Sequence, residues 1–181
     1  MLLTEKDLMQ LQTRKDEYQL IRKAIRDLLT RFPPEYWRNK DERREYPIEF
    51  VNELMKAGWM GVNIPAEYGG AGYGITEASI VLEELSASHG GLSASGSAHA
   101  SFFNVTILTK LGNDECKQYL PKIARGELRF QVLAITEPAA GFDTPRISTI
   151  AKKKNGEYII NGRTSGWIGI DTNLSGPSAT S

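Results

Sequence analysis

The stretch Ala124-Arg125-Gly126-Glu127-Leu128-Arg129-Phe130-Gln131-Val132-Leu133-Ala134-Ile135 decides how this 181-residue chain folds. Before Ala124, apolar residues recur at the three- and four-residue intervals of helices. After Gly126 the period changes. Leu128 to Ile135 reads as a strand, with Phe130, Val132 and Ile135 along it and no capping or stop signal inside.

Toward the N-terminus the helical pattern is continuous. Residues 5–32 predict a helix carrying Leu8, Leu11, Ile21, Ile25, Leu28 and Leu29, ended by Pro33-Pro34. A second starts at Pro47, carries Phe50, Val51, Leu54 and Met55, and stops at Gly58. Ile64 to Gly72 is a loop by its Gly and Pro content. Thr76 is placed to cap a third helix holding Ile80, Val81 and Leu85, closed by His89-Gly90-Gly91. A fourth runs from Leu92 to Leu111, and Asn113 caps a short helix through Tyr119, Leu120 and Ile123.

Toward the C-terminus, Ser148 to Lys154 reads as a strand. Asn155-Gly156 is a hairpin turn, Tyr158-Ile159-Ile160 the return strand, and Asn161-Gly162 a further turn. Helices followed by strands predict segregated units, not an alternating sheet. The fold class is therefore α+β, mainly α: a helical domain over 1–126, a partial antiparallel β-domain over 127–170, and a polar tail, disordered or aberrant, over 171–181. A sheet cut off there has an unpaired edge, which predicts association or aggregation unless partners cover it.

Composition narrows the function. Lys and Arg number 22 and Asp and Glu 22, so the net charge is zero and the basic excess of a nucleic-acid binder is missing. No run of ~18 apolar residues is present to span a membrane. Glu5 and Asp7 sit where a secretory or organelle signal is basic or apolar, so the chain reads as soluble and cytoplasmic. One Cys, Cys116, and two His leave no disulfide and no typical zinc site, and no metal is expected.

Charge is unevenly spread. Residues 1–45 hold 11 of the basic and 9 of the acidic residues, whereas Leu85 to Thr109 holds no charge at all. Such a stretch predicts an interior helix. Its Ser, Ala and Gly residues, from Ser93 to Ser101, admit either a neighbouring helix or a ligand close to the backbone. His99 within it is either a hydrogen-bonded core histidine or a ligand-facing one. His89, beside two glycines, reads as a helix-end residue and Cys116 as structural or exposed. Gly70-Ala71-Gly72-Tyr73-Gly74 lacks the third glycine and the flanking strand of a dinucleotide loop. The stretch with most chemistry is Ala134-Ile135-Thr136-Glu137-Pro138-Ala139-Ala140-Gly141-Phe142-Asp143. It runs from a strand end into an irregular loop whose free N–H groups could grip an anionic or carbonyl-rich ligand.

This last stretch resembles the T-E-P-x-A-G-S-D loop of the acyl-CoA dehydrogenase family. Three further segments are similar to that family's motifs: Pro65-Ala66-Glu67-Tyr68-Gly69-Gly70-Ala71-Gly72, Gly112 to Pro121, and Ala124-Arg125-Gly126-Glu127. The resemblance implies FAD as cofactor. It assigns the flavin to Leu133, Ala134, Ile135, Thr136, Gly141 and Phe142, with Thr136 bonding the ring's pyrimidine edge. Trp167, Ile168 and Gly169 fall at the family's second flavin segment. It also implies an acyl-CoA substrate, lined by Phe142 of this loop and by His99 and Phe103 of the Leu92–Leu111 helix. Electron-transfer flavoprotein is the implied acceptor, and a homo-oligomer the implied assembly.

Two departures stand out. Phe142 occupies a position that is normally Ser. Gly162-Arg163-Thr164-Ser165-Gly166-Trp167-Ile168-Gly169 replaces the usual G-x-K-x-W-I-T-N, with Gly169 where a Thr belongs. The family's Glu base comes from a C-terminal helical domain that nothing after Asp171 resembles, and Glu137, part of the flavin loop, is not its substitute. No catalytic residue is therefore assigned. The alternative reading is a non-catalytic helical remnant or interaction module; an oxidase or flavin monooxygenase of the same superfamily is a third.

Overall fold

A computed structural model describes residues 5–129 and 135–164. The chain divides into two units, Met1–Gln131 and Val132–Ser181.

The first unit is helical. Helix α1 spans Glu5–Leu29 and α2 spans Pro34–Arg43. The prolines that were expected only to end a helix also start one. Pro34 occupies the first turn of α2, where a missing N–H costs nothing. Helix α3 follows over Ile48–Lys56, and the chain then turns through two short 3-10 segments, Trp59–Gly61 and Ala66–Tyr68. Helix α4 spans Ile75–Ser86, α5 Gly91–Leu111, α6 Asp114–Lys117 and α7 Leu120–Ala124.

Two local expectations are corrected. Thr76 lies inside α4 and not at its cap; Gly74 precedes the helix, and its N–H donates to the Glu77 carboxylate at 2.8 Å. The short helix after Asn113 is two helices, with Pro121 in the first turn of the second. Asn113 does cap the first, accepting from the Cys116 N–H at 2.9 Å. The loop after Ile64 has a structural logic of its own. Ala71, Gly72 and Tyr73 donate their N–H groups back to Gly61, Ile64 and Val62, and a side chain at Gly70 would collide with the Ile64 backbone.

The core of this unit gathers Ile21, Ile25 and Leu28 from α1, Phe50, Val51 and Leu54 from α3, Ile80, Val81 and Leu85 from α4, and Ala94, Ala98 and Phe102 from α5. Phe50 meets Phe32 and Trp37 edge-on, with ring centroids 5.2 and 4.9 Å apart. Above this core, Glu84 of α4 is buried and takes Arg26 through Nε (2.6 Å) and Nη2 (2.8 Å) and Arg22 through Nη1 (2.7 Å). The Arg26 and Arg22 bonds hold the Glu84 carboxyl below its ordinary range despite burial. This ion cluster fixes α4 against α1.

Helix α5, uncharged until Lys110 in its last turn, is interior along one face, as its composition predicts. Ser95, Ser97, Ser101 and Asn104 are buried beside Ala94, Ala98 and Val105. Ser95 and Ser97 donate their hydroxyls to the carbonyls of Gly91 and Ser93, one turn back. Satisfied within their own helix, these hydroxyls enter the interior without needing a partner elsewhere.

The second unit holds one antiparallel hairpin, β1 over Ile150–Lys154 and β2 over Glu157–Asn161, paired from Ile150 opposite Asn161 to Lys154 opposite Glu157. Asn155 and Gly156 form its two-residue turn with φ of 53° and 88°, the left-handed pair that such a turn requires. The expected turn at Asn161-Gly162 is absent, because Asn161 stays in the ladder. The middle of the expected 128–135 strand lies outside the described residues; Leu128, Arg129 and Ile135 at its ends are irregular. The mainly helical α+β class, with helices first and an antiparallel hairpin after, is the class read from the sequence.

Phe50→Ala is expected to cost about 3–5 kcal/mol, because the aromatic cluster around a fully buried ring cannot collapse into the space left. Glu84→Gln is expected to cost about 2 kcal/mol through weaker acceptors for two guanidinium groups. Thermal denaturation followed by far-ultraviolet circular dichroism measures both.

Candidate functional site

Within the second unit the chemistry-bearing loop is organised by a carboxylate. Glu137 is 4% exposed, and its neighbours Ile135, Thr136, Pro138 and Ala139 face solvent. Its Oε2 accepts from the Ser148 N–H at 2.7 Å and the Ser148 hydroxyl at 2.6 Å. Its Oε1 accepts from the Thr149 N–H at 2.8 Å and the Thr149 hydroxyl at 2.5 Å. Four donors fill the lone pairs of one carboxylate. The donors from Ser148 and Thr149 pull its pKa down to about 2. Such a group is a fixed anionic anchor at neutral pH and has no spare acceptor for a proton in transit.

The loop is closed a second time by a reciprocal pair. Glu137 N–H donates to the Ala140 carbonyl at 3.2 Å, and Ala140 N–H returns to the Glu137 carbonyl at 3.1 Å. The sequence suggested free N–H groups here for a ligand. Those of Glu137 and Ala140 are instead paired inside the loop, so it offers different groups outward. Thr136 and Gly141 are exposed, and Phe142 projects fully into solvent. A Cβ built on Gly141 would meet nothing within 4 Å, which leaves the backbone open to a flat ligand.

Of the residues assigned to a flavin, Ile135, Thr136, Gly141 and Phe142 therefore lie on one loop with their outer surfaces open. Leu133, Ala134, Trp167, Ile168 and Gly169 lie outside the described residues. The tail over 171–181 lies outside them too.

In the helical unit, His99 and Phe103 sit one turn apart on α5 and touch. Their rings meet edge-on, 5.6 Å between centroids, and Phe103 is 52% exposed. His99 is half-buried and is not a core histidine. Exposed Leu92, Gly96, Ile107 and Leu111 continue this face, opposite the one that packs on the core. His89 and Cys116 are exposed. Among the described residues no cluster of His, Cys, Asp and Glu could hold a metal ion, and no helix is long and apolar enough to cross a membrane.

The acyl-CoA dehydrogenase N-terminal domain matches residues 15–127, the greater part of the helical unit. The chain belongs to the acyl-CoA dehydrogenase family.

It is 38% identical over 157 residues to the acyl-CoA dehydrogenase FadE12 of Mycobacterium tuberculosis, covering 86% of this chain and 40% of that protein. An acyl-CoA dehydrogenase structure from Geobacillus kaustophilus aligns with a TM-score of 0.69 at 27% identity, over 83% of this chain and 39% of the other. A Bacillus anthracis acyl-CoA dehydrogenase, solved in complex with FAD, aligns with a TM-score of 0.63 at 28% identity, over 84% and 26%. The chain thus spans about 40% of the length of the FadE12 relative.

No signal in the sequence pointed to Ser148 and Thr149. They lie 11 and 12 residues from Glu137, and only the fold brings them to its carboxylate.

Because the folded pKa of Glu137 is near 2 and its ordinary value is 4.5, the anchor's contribution is complete above pH 4.5. It is lost as pH falls through the folded pKa. Ser148 and Thr149 amide resonances are expected to hold constant from pH 7 to 4.5 and to titrate with a midpoint near 2. A midpoint near 4.5 would mean that the carboxylate is not bound by these donors.

Proposed function

We propose that this chain supplies the N-terminal helical domain (1–126) and the flavin loop of the β-domain (127–170) of an FAD-dependent acyl-CoA dehydrogenase. Family membership gives the chemical class. The observation that carries the reading further is the division of the 135–142 loop: Glu137 and Ala140 are turned inward, while Thr136, Gly141 and Phe142 are left open.

This donor set fits a flavin. Thr136 offers a hydroxyl, Gly141 a backbone without an obstructing side chain, and Phe142 an apolar face. When bound, FAD supplies the acceptor for a hydride leaving the β-carbon of an acyl-CoA thioester. Thr136 holds the cofactor's polar edge by a hydrogen bond, and Phe142 excludes water from it. Phe142 has no hydroxyl for the thioester ligand, so its contribution to substrate is packing alone. The apolar face bearing His99 and Phe103 suits the acyl chain. By their positions in the sequence, Trp167, Ile168 and Gly169, together with Leu133 and Ala134, complete the cofactor set. The oxidising partner is an electron-transfer flavoprotein, the full assembly a homo-oligomer, and the compartment the cytoplasm.

A second reading, a helical interaction module without catalysis, draws on the exposed row Leu92, Phe103, Ile107 and Leu111. Colour separates the two. Purified protein incubated with FAD is expected to stay yellow after removal of unbound flavin and to quench flavin fluorescence, and Thr136→Val to weaken that binding roughly 5- to 10-fold for one lost hydrogen bond. A colourless chain with no quenching sinks the cofactor reading and leaves the module.

A further inference from the structure

Glu137 is the one buried acidic side chain among the described residues of the second unit; Asp143 and Glu157 are exposed. A buried carboxylate is costly unless hydrogen-bonded, and this one is bonded to capacity. What it ties together is specific. Its own residue follows Thr136. Its partners Ser148 and Thr149 immediately precede β1, which starts at Ile150. The partner Thr149 is in turn packed against the chain leaving β2: a Cβ built on Gly162 would fall 2.0 Å from the Thr149 Oγ1. One carboxylate thereby connects the start of the loop, the entry of the hairpin and, through Thr149, its exit toward residues 163–169.

We propose that Glu137 is the positioning residue of the cofactor loop, clasping Ser148 and Thr149 so that Thr136, Gly141 and Phe142 are presented outward in one fixed arrangement. The proposal rests on the flavin reading of Thr136 given above. Glu137 touches neither cofactor nor substrate in it. The role requires a carboxylate. A glutamine at 137 has one acceptor oxygen and turns an NH2 toward donors, and the two backbone N–H groups cannot rotate away. Loss of the clasp frees a loop of about a dozen residues, so ligand binding must then order it, at a cost in affinity.

The test compares wild type, Glu137→Gln, the double variant Ser148→Ala/Thr149→Val, and Thr149→Ser, all as the full chain. Three readouts are taken: FAD affinity by fluorescence quenching, the shape of the bound flavin's absorption band, and amide exchange at Ser148 and Thr149 without FAD. Glu137→Gln is expected to weaken FAD binding at least tenfold, broaden the flavin band and release both amides. The double variant should fall between it and wild type, because the backbone donors remain, and Thr149→Ser, which restores the hydroxyl, should behave as wild type. Thermal unfolding of the helical unit should not move in any of them. Wild-type affinity and band shape in Glu137→Gln would overturn the clasp while leaving the flavin reading intact. Failure of wild type to take up FAD would overturn the flavin reading and the clasp's role with it. If Glu137→Gln loses all protection across β1 and β2, the double variant decides: weakened binding with the hairpin still protected supports the clasp, and unchanged binding overturns it.

Discussion

The helical unit depends on the burial of α4 between two different kinds of surface. Against α1, whose Ile21, Ile25 and Leu28 share its apolar core, it is also held by an ion cluster, with the Glu84 carboxylate taken by Arg22 and Arg26. Against α5 it is held by small and apolar side chains, Ala94, Ala98 and Phe102 among them. The ion cluster gives direction and register, since two guanidinium groups meet one carboxylate in few ways. The apolar contact supplies most of the driving force. Because the charged contact lies on the α1 side, α5 is free to carry no charge before Lys110 in its last turn.

That freedom has a functional side. Free of charge until Lys110 in its last turn, α5 buries Ser95, Ser97 and Asn104 toward the core and turns Phe103, Ile107 and Leu111 outward. The hydroxyls inside are satisfied by their own helix, so the helix tolerates burial on one face and an apolar exterior on the other. An acyl chain or a second protein surface are both chemically suited to that exterior. The loop of the second unit works by the opposite device. There a charged group is drawn inward and saturated, and the neutral hydroxyl of Thr136 is left outside.

Much of this was legible in the sequence because it is local. Helical spacing marked α1, α3, α4 and α5, the Asn155-Gly156 pair marked the hairpin, and the absence of charge from Leu85 to Thr109 marked an interior helix. Each rests on residues within a turn or two of one another. Where local signals competed, the reading slipped. Pro34 is a stop by its missing N–H and a start by its fixed φ, and both roles are used at once. Thr76 is a good cap, yet Glu77 reaching back to the Gly74 N–H fixes the start of α4 two residues earlier.

The sequence by itself determined the order of elements and the family, and it singled out the 134–143 loop, because composition, period and motif spacing are properties of neighbouring residues. Only the tertiary structure decided what each residue of that loop does. Thr136 and Glu137 are adjacent and both polar, and nothing in their spacing says which faces a ligand. Ser148 and Thr149, brought back across the loop by the hairpin's entry, claim the carboxylate and leave the hydroxyl free. The choice is made by hydrogen bonds between residues distant in the chain, which no local pattern encodes.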